Sequence, residues 1–185
     1  MARIEAKTIE IRAGAATIRV AEPADAAATV GLRVAMAQQS EFLSAEPGEV
    51  RTNVAESAEF LNRKLNSAVD LYILAEVKGR TVGIASLDGS AQARFGHGAT
   101  LGLGVGRDVW RQGLGRALVC TLLDWADARG LVRIALEVVE TNSGAIRLYE
   151  SLGFEHEGRL RCRRKHGAAY LDNHLMARIR RPGDE

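Results

Sequence analysis

The chain lacks most of the features that would assign it quickly. It has two cysteines in 185 residues, Cys120 and Cys162, and they form no metal-ligand spacing. That scarcity fits a reduced, cytoplasmic setting and gives no metal site. No apolar run approaches the roughly 20 residues of a membrane span. Met1-Ala2-Arg3-Ile4-Glu5 opens no signal peptide, because an acidic residue and only short apolar pieces follow. Charge of one sign is also missing. Lys and Arg number 25 against 23 Asp and Glu, a formal net charge of +2, so neither nucleic acid nor an acidic membrane is indicated as a partner. There is no internal repeat and no interdomain linker. Hydrophobic residues at 46% and charged residues at 26% give an ordinary globular balance, read as one domain over residues 1–185.

What is present is a glycine turn. Leu101-Gly102-Leu103-Gly104-Val105 reads as a strand, and Trp110-Arg111-Gln112-Gly113-Leu114-Gly115-Arg116-Ala117-Leu118 leads from it into an apolar helical pattern. The first turn of a helix has N–H groups without intrahelical acceptors, and its dipole favours an anion. Gly113 and Gly115 leave room for a phosphate against the backbone. Two phosphate motifs are excluded. A Walker loop needs Lys-Ser/Thr after the last glycine, and Arg116-Ala117 stands there. The dinucleotide fingerprint needs a third glycine where Leu118 stands, and Gly102 and Gly104 fail likewise at Arg107. A tight turn capping an ordinary helix is the alternative.

Periodicity places the elements. Residues 3–12 read as an edge strand or an arm, and Thr17–Val20 as a strand. A helix opens at Pro23 with Val30, Val34 and Ala37 as its apolar stripe. Glu46-Pro47-Gly48 is a break. A second helix spans 54–65 with Phe60, Leu61 and Leu65 inward. Strands at 71–77 and 81–87 flank the Lys78-Gly79-Arg80 turn. The next strand is 95–105. Leu114, Leu118, Leu122 and Trp125 mark the helix that Gly130 ends. Residues 131–139 form a strand. Asn142 or Ser143 caps a short helix that stops at Gly153. Residues 154–161 and 169–177 pair as antiparallel strands, and 180–185 is a frayed tail. The order implies an α/β fold with a single mixed, mostly antiparallel sheet flanked by helices on both faces.

The glycine turn, followed at set spacing by Asn142, Ala145, Leu148-Tyr149 and Leu152-Gly153-Phe154, resembles the GNAT acetyltransferase superfamily, in particular its small bacterial members. The resemblance covers about residues 70–178 and continues through Glu157-Gly158-Arg159 and Ala169–Met176. It implies acetyl-CoA as cosubstrate and N-acetyl transfer to a primary amine by direct attack, with no nucleophilic Ser or Cys. The pyrophosphate would lie on the N–H groups of Arg111–Ala117, making Arg111, Gln112, Gly113, Leu114, Gly115 and Arg116 contact residues. Leu103, Gly104 and Val105 would meet the pantetheine arm, one N–H acting as oxyanion donor; a ligand-free β-bulge is the alternative for these glycines. Asn142 would cap its helix and bind cosubstrate. Tyr149 stands at the family's general-acid position, with packing as its other role. The pattern departs at Trp110, where the family usually has Arg or Gln.

The base is not fixed by motif. Glu137 and His97 are the candidates, each equally readable as structural. Cys120 reads as core. The run Arg159, Arg161, Arg163, Arg164, Lys165 reads as a solvated hairpin or an anion contact, not a nucleic-acid stripe. The acceptor, a small molecule or a protein amino group, would be read by residues 23–66 and 159–170. A homodimer is the family's habit. A non-catalytic acyl-CoA-binding sensor or interaction module is the rival reading.

Overall fold

A computed structural model of the chain describes residues 4–181 and 183. Residues 1–3 of the expected arm, and Pro182, Asp184 and Glu185 of the expected tail, lie outside the described residues. The strands are β1 (Lys7–Ile11), β2 (Gly14–Val20), β3 (Leu71–Val77), β4 (Arg80–Gly89), β5 (Gly98–Val105), β6 (Arg133–Val139), β7 (Glu155–His166) and β8 (Ala169–Ile179). The helices are α1 (Ala26–Gln39), α2 (Val54–Asn66), α3 (Leu114–Ala128) and α4 (Ser143–Glu150). The strands form one mixed sheet in the order β1-β2-β3-β4-β5-β6-β8-β7. β5 and β6 are parallel, while β1–β2, β2–β3, β3–β4, β6–β8 and β7–β8 are antiparallel. Among the described residues no helix is long and apolar enough to cross a membrane.

The chain divides into two compact units, and β5 and α3 contribute to both. The first holds residues up to 88 together with 102–125. Its core is aliphatic: Ile18, Leu61, Leu71, Ile73, Leu74, Leu87, Leu114, Leu118 and Leu122 are fully buried. The expected arm is a paired strand, with Lys7 opposite Ile18 and Ile11 opposite Gly14. The start of α1 is fixed by charge. Arg19 on β2 donates to both oxygens of Asp25 at 2.7 Å and to Glu76 on β3 at 3.0 and 3.1 Å. Asp25 also accepts the Glu22 backbone N–H at 2.8 Å, closing the 3₁₀ turn Pro23–Asp25 that precedes α1. Asn53 caps α2 by accepting from the N–H groups of Ala55 and Glu56. α3 lies close on β4: a methyl added to Gly83 would come within 2.9 Å of Leu118 Cδ1.

The second unit holds residues 89–101 and those from 126 onward. Ile134, Leu136, Phe154 and Met176 fill its interior. Asp127 at the end of α3 receives Arg178 of β8 on both oxygens, at 2.8 and 3.0 Å, and Arg180 at 2.6 Å. Three expectations shift here. The fifth strand begins at Gly98 rather than 95, because Phe95 accepts the Gly98 N–H and turns the chain. The sixth begins at Arg133, after Val132 and Arg133 have both donated to the His97 carbonyl. The closing hairpin is longer than expected, extending to His166 and Ile179.

Candidate functional site

In the first unit the glycine turn is built as a helix N-terminus. Arg111 and Gly113 both take positive φ, 57° and 87°. The second of these is a conformation for which glycine carries no Cβ penalty. α3 begins at the next residue, and its first closed bond runs from the Ala117 N–H to the Gly113 carbonyl at 3.0 Å. The N–H groups of Leu114 and Gly115 precede that bond, where a helix has no acceptor of its own. The expected cradle therefore stops short of Ala117, whose N–H is spent inside the helix.

The side chains expected to touch the ligand have local work. Gln112 accepts the Ala13 N–H at 2.9 Å and donates to the Asp108 carbonyl at 3.1 Å, which ties the turn to the β1–β2 connection. Trp110 donates its indole N–H to the Val105 carbonyl at 2.7 Å. Its ring stacks on Phe42 at 6.4 Å, and the Arg107 guanidinium lies 6.0 Å from the ring centre. Where the family carries a polar side chain, this chain has an aromatic that clamps the glycine turn to the end of β5. Arg111 and Arg116 are exposed.

The glycines of β5 have a packing reason that sequence does not show. A Cβ at Gly104 would meet Met36 Cε at 2.9 Å, and one at Gly102 would meet Ser86 Oγ at 2.9 Å. Gly102, Leu103 and Gly104 form one wall of a cavity of about 360 Å³. Met36 and Arg33 of α1, residues 43–45, Val50, Tyr72 of β3 and Ile84–Ser86 of β4 form the rest. Burial pushes the Tyr72 phenol up to about 12. The Ser86 hydroxyl is 3.0 Å from Asp88, and Asp88 is ion-paired with Lys64, which also reaches Asp70 at 3.2 Å. Neither Arg33 nor Tyr72 was singled out by sequence, because α1 shows only an apolar stripe and β3 only an apolar strand.

The second unit holds the other candidates. The Asn142 side chain accepts the Ala145 N–H at 3.1 Å and caps α4. At the far end Gly153, with φ at 82°, donates to the Glu150 carbonyl, and Phe154 donates to the Tyr149 carbonyl. These are the two bonds of a Schellman motif, whose usual apolar contact is here the Tyr149–Phe154 ring pair at 5.6 Å. The motif packs Tyr149 to 7% exposure. Burial raises its phenol to about 12, so it stays protonated through neutral pH.

Glu137 sits on β6 and is already engaged. It accepts from Arg163 and Asn173, each at 3.1 Å, and the Arg163 bond, opposed by burial, holds the carboxyl below its usual range. His97 is exposed in the turn before β5, not at the start of the strand. The basic run is partly answered by its own unit. Arg159 pairs with Glu140 at 2.7 Å and with Asp172 at 2.5 Å, and Arg163 with Glu137. Cys162 is exposed, with a positive φ of 52° at the register shift of β7. Cys120, expected in the core, is only half-buried, at the margin of the α3 stripe.

Comparison with known proteins adds four findings. The family model described as "Acetyltransferase (GNAT) family" matches residues 36–154. The ribosomal protein bS18-alanine N-acetyltransferase of Escherichia coli K12 is 53% identical over 52 residues, which cover 28% of this chain and 35% of that protein. The matched stretch thus spans about a third of the curated relative. Among solved structures, a GNAT-family acetyltransferase of Streptococcus pneumoniae superposes with a TM-score of 0.84 at 29% identity, covering 89% of this chain and 98% of that one. The protein yncA of Salmonella typhimurium, solved with its cofactor acetyl-CoA, gives 0.75 at 25% identity, covering 89% and 93%.

Proposed function

The chain belongs to the acetyltransferase (GNAT) family, and we propose that it transfers an acetyl group from acetyl-CoA to a primary amine. The observation that carries this reading is the glycine turn, with Gly113 in a left-handed conformation opening α3. Such a terminus favours the cosubstrate's pyrophosphate. Leu103, Gly104 and Val105 of β5 are proposed for the pantetheine arm, with Arg111, Gln112, Gly113, Leu114, Gly115 and Arg116 at the phosphates and Asn142 as a further contact. In the reaction, the amine nitrogen bonds to the thioester carbonyl carbon and the C–S bond breaks. The amine loses one proton, through water, to Glu137. The departing thiolate gains one from Tyr149, whose burial keeps it loaded.

The acceptor is an amine on a small molecule or on a protein. The relative from Escherichia coli, matched over 28% of this chain, is named for a protein alanine. Two free cysteines suit a cytoplasmic site of action. Release of CoA from acetyl-CoA, followed over a panel of amines, tests the proposal. Amine-dependent release supports it. Tight acetyl-CoA binding with no amine turned over would replace it with a non-catalytic acyl-CoA-binding module.

A further inference from the structure

We propose that the cavity of the first unit takes an amine that also carries a carboxylate, an acceptor of amino-acid type, and that Arg33 binds that carboxylate. This rests on the acetyltransferase reading above. Arg33, Met36 and Ala37 lie at positions i, i+3 and i+4 of α1, so one helix face presents a guanidinium beside apolar groups. Leu43, Val50 and Ile84 extend the apolar lining. Arg33 is half-buried, and among the described residues no carboxylate reaches it, although Arg19, Arg133, Arg159, Arg163 and Arg178 are all ion-paired. A half-buried guanidinium with no counterion is open to an anion, and a planar carboxylate is its best-matched partner.

The remaining polar groups sharpen the reading. Asp88, reached from the wall through Ser86, is bound to Lys64, which it shares with Asp70. The lining itself carries one charge, the Arg33 guanidinium, which disfavours a polyamine. Tyr72 supplies a hydroxyl that burial keeps neutral, with the charges of Arg33 and Asp88 acting on it in opposite senses. The cavity, about 360 Å³, is small-molecule sized. Its apolar lining suits an aliphatic side chain, and the β5 wall of Gly102–Gly104 is the one proposed for the thioester arm. A peptide N-terminus would bring the amine but no carboxylate within reach.

The test compares L-leucine and L-methionine with their carboxamides, with spermidine and with an alanine-initiated hexapeptide, at saturating acetyl-CoA. The free acids should be used about tenfold or more better than the amides by kcat/KM. Arg33→Gln should raise KM for the acids by about tenfold, leave the amides unchanged and leave acetyl-CoA binding by calorimetry intact, with Arg33→Lys in between. Equal or better use of the amides, spermidine or the peptide overturns the proposal. So does an equal loss for acids and amides in Arg33→Gln, or no use of either acid by a protein that binds acetyl-CoA. Absence of acetyl-CoA binding would instead remove the acetyltransferase reading itself.

Discussion

Tyr149 is held by its ring and not by its hydroxyl. The Phe154 contact and the Schellman turn fix it, and among the described residues no hydrogen bond engages the hydroxyl. Tyr149→Phe should therefore keep the fold and lose about 10²-fold in turnover, about 2.7 kcal/mol of transition-state stabilisation, with acetyl-CoA affinity unchanged. Unchanged turnover with chemistry rate-limiting would remove the general-acid role. The two titrating groups also fix the pH profile. Glu137 has its pKa lowered by Arg163, so it is ionised at all neutral pH, as the proposed base must be. Tyr149 at about 12 stays protonated there. The rate should then rise between about pH 6 and 9 with the acceptor amine alone, and no fall from Tyr149 should occur below about pH 10. Glu137→Gln should lower the rate without changing the shape of this rise. A flat profile under chemistry-limited conditions would contradict attack by the unprotonated amine.

The elements differ in how far sequence discloses them. The caps of α4 were legible: Asn142, Tyr149 and Gly153 stand where spacing placed them, because capping is local chemistry. The reasons for Gly102 and Gly104 were not, since Met36 and Ser86 approach from distant parts of the chain. The Trp110 clamp on Val105 was equally hidden. In the glycine turn, the φ of Gly113 makes a Gly113→Val change strained whatever the ligand does, so Gly115, inside α3 and without positive φ, is the cleaner probe. Gly115→Val should fold and weaken acetyl-CoA at least about tenfold, about 1.4 kcal/mol. Equal affinity in the folded variant would move the phosphate site elsewhere. At the other end of α3, Asp127 is held below its usual pKa by Arg178. A lowered folded value means that its stabilisation is full at neutral pH and lost as pH falls below about 4. Asp127→Asn should cost about 1–3 kcal/mol by urea unfolding at pH 7, and the gap should close toward pH 3. A gap independent of pH would show that the ion pairs contribute nothing there.

At the scale of the molecule, the order of seven strands and four helices was readable from periodicity and turn residues, and with it the mixed sheet; the eighth strand of the described residues, β1, was read as an edge strand or an arm. The sheet's pairing order was not readable, because the β6-β8-β7 arrangement depends on non-local register. The site divides in the same way. Motif residues proposed for cosubstrate chemistry stood out at short range. Arg33 and Tyr72 did not, since only the fold brings α1 and β3 to one cavity. The central claim is that this fold binds acetyl-CoA for transfer, and calorimetry of the full chain with acetyl-CoA tests it most directly. The account predicts saturable binding in the micromolar range, about −8 kcal/mol, with a melting temperature that climbs as the logarithm of ligand excess. No heat of binding and no thermal shift at millimolar acetyl-CoA would contradict it.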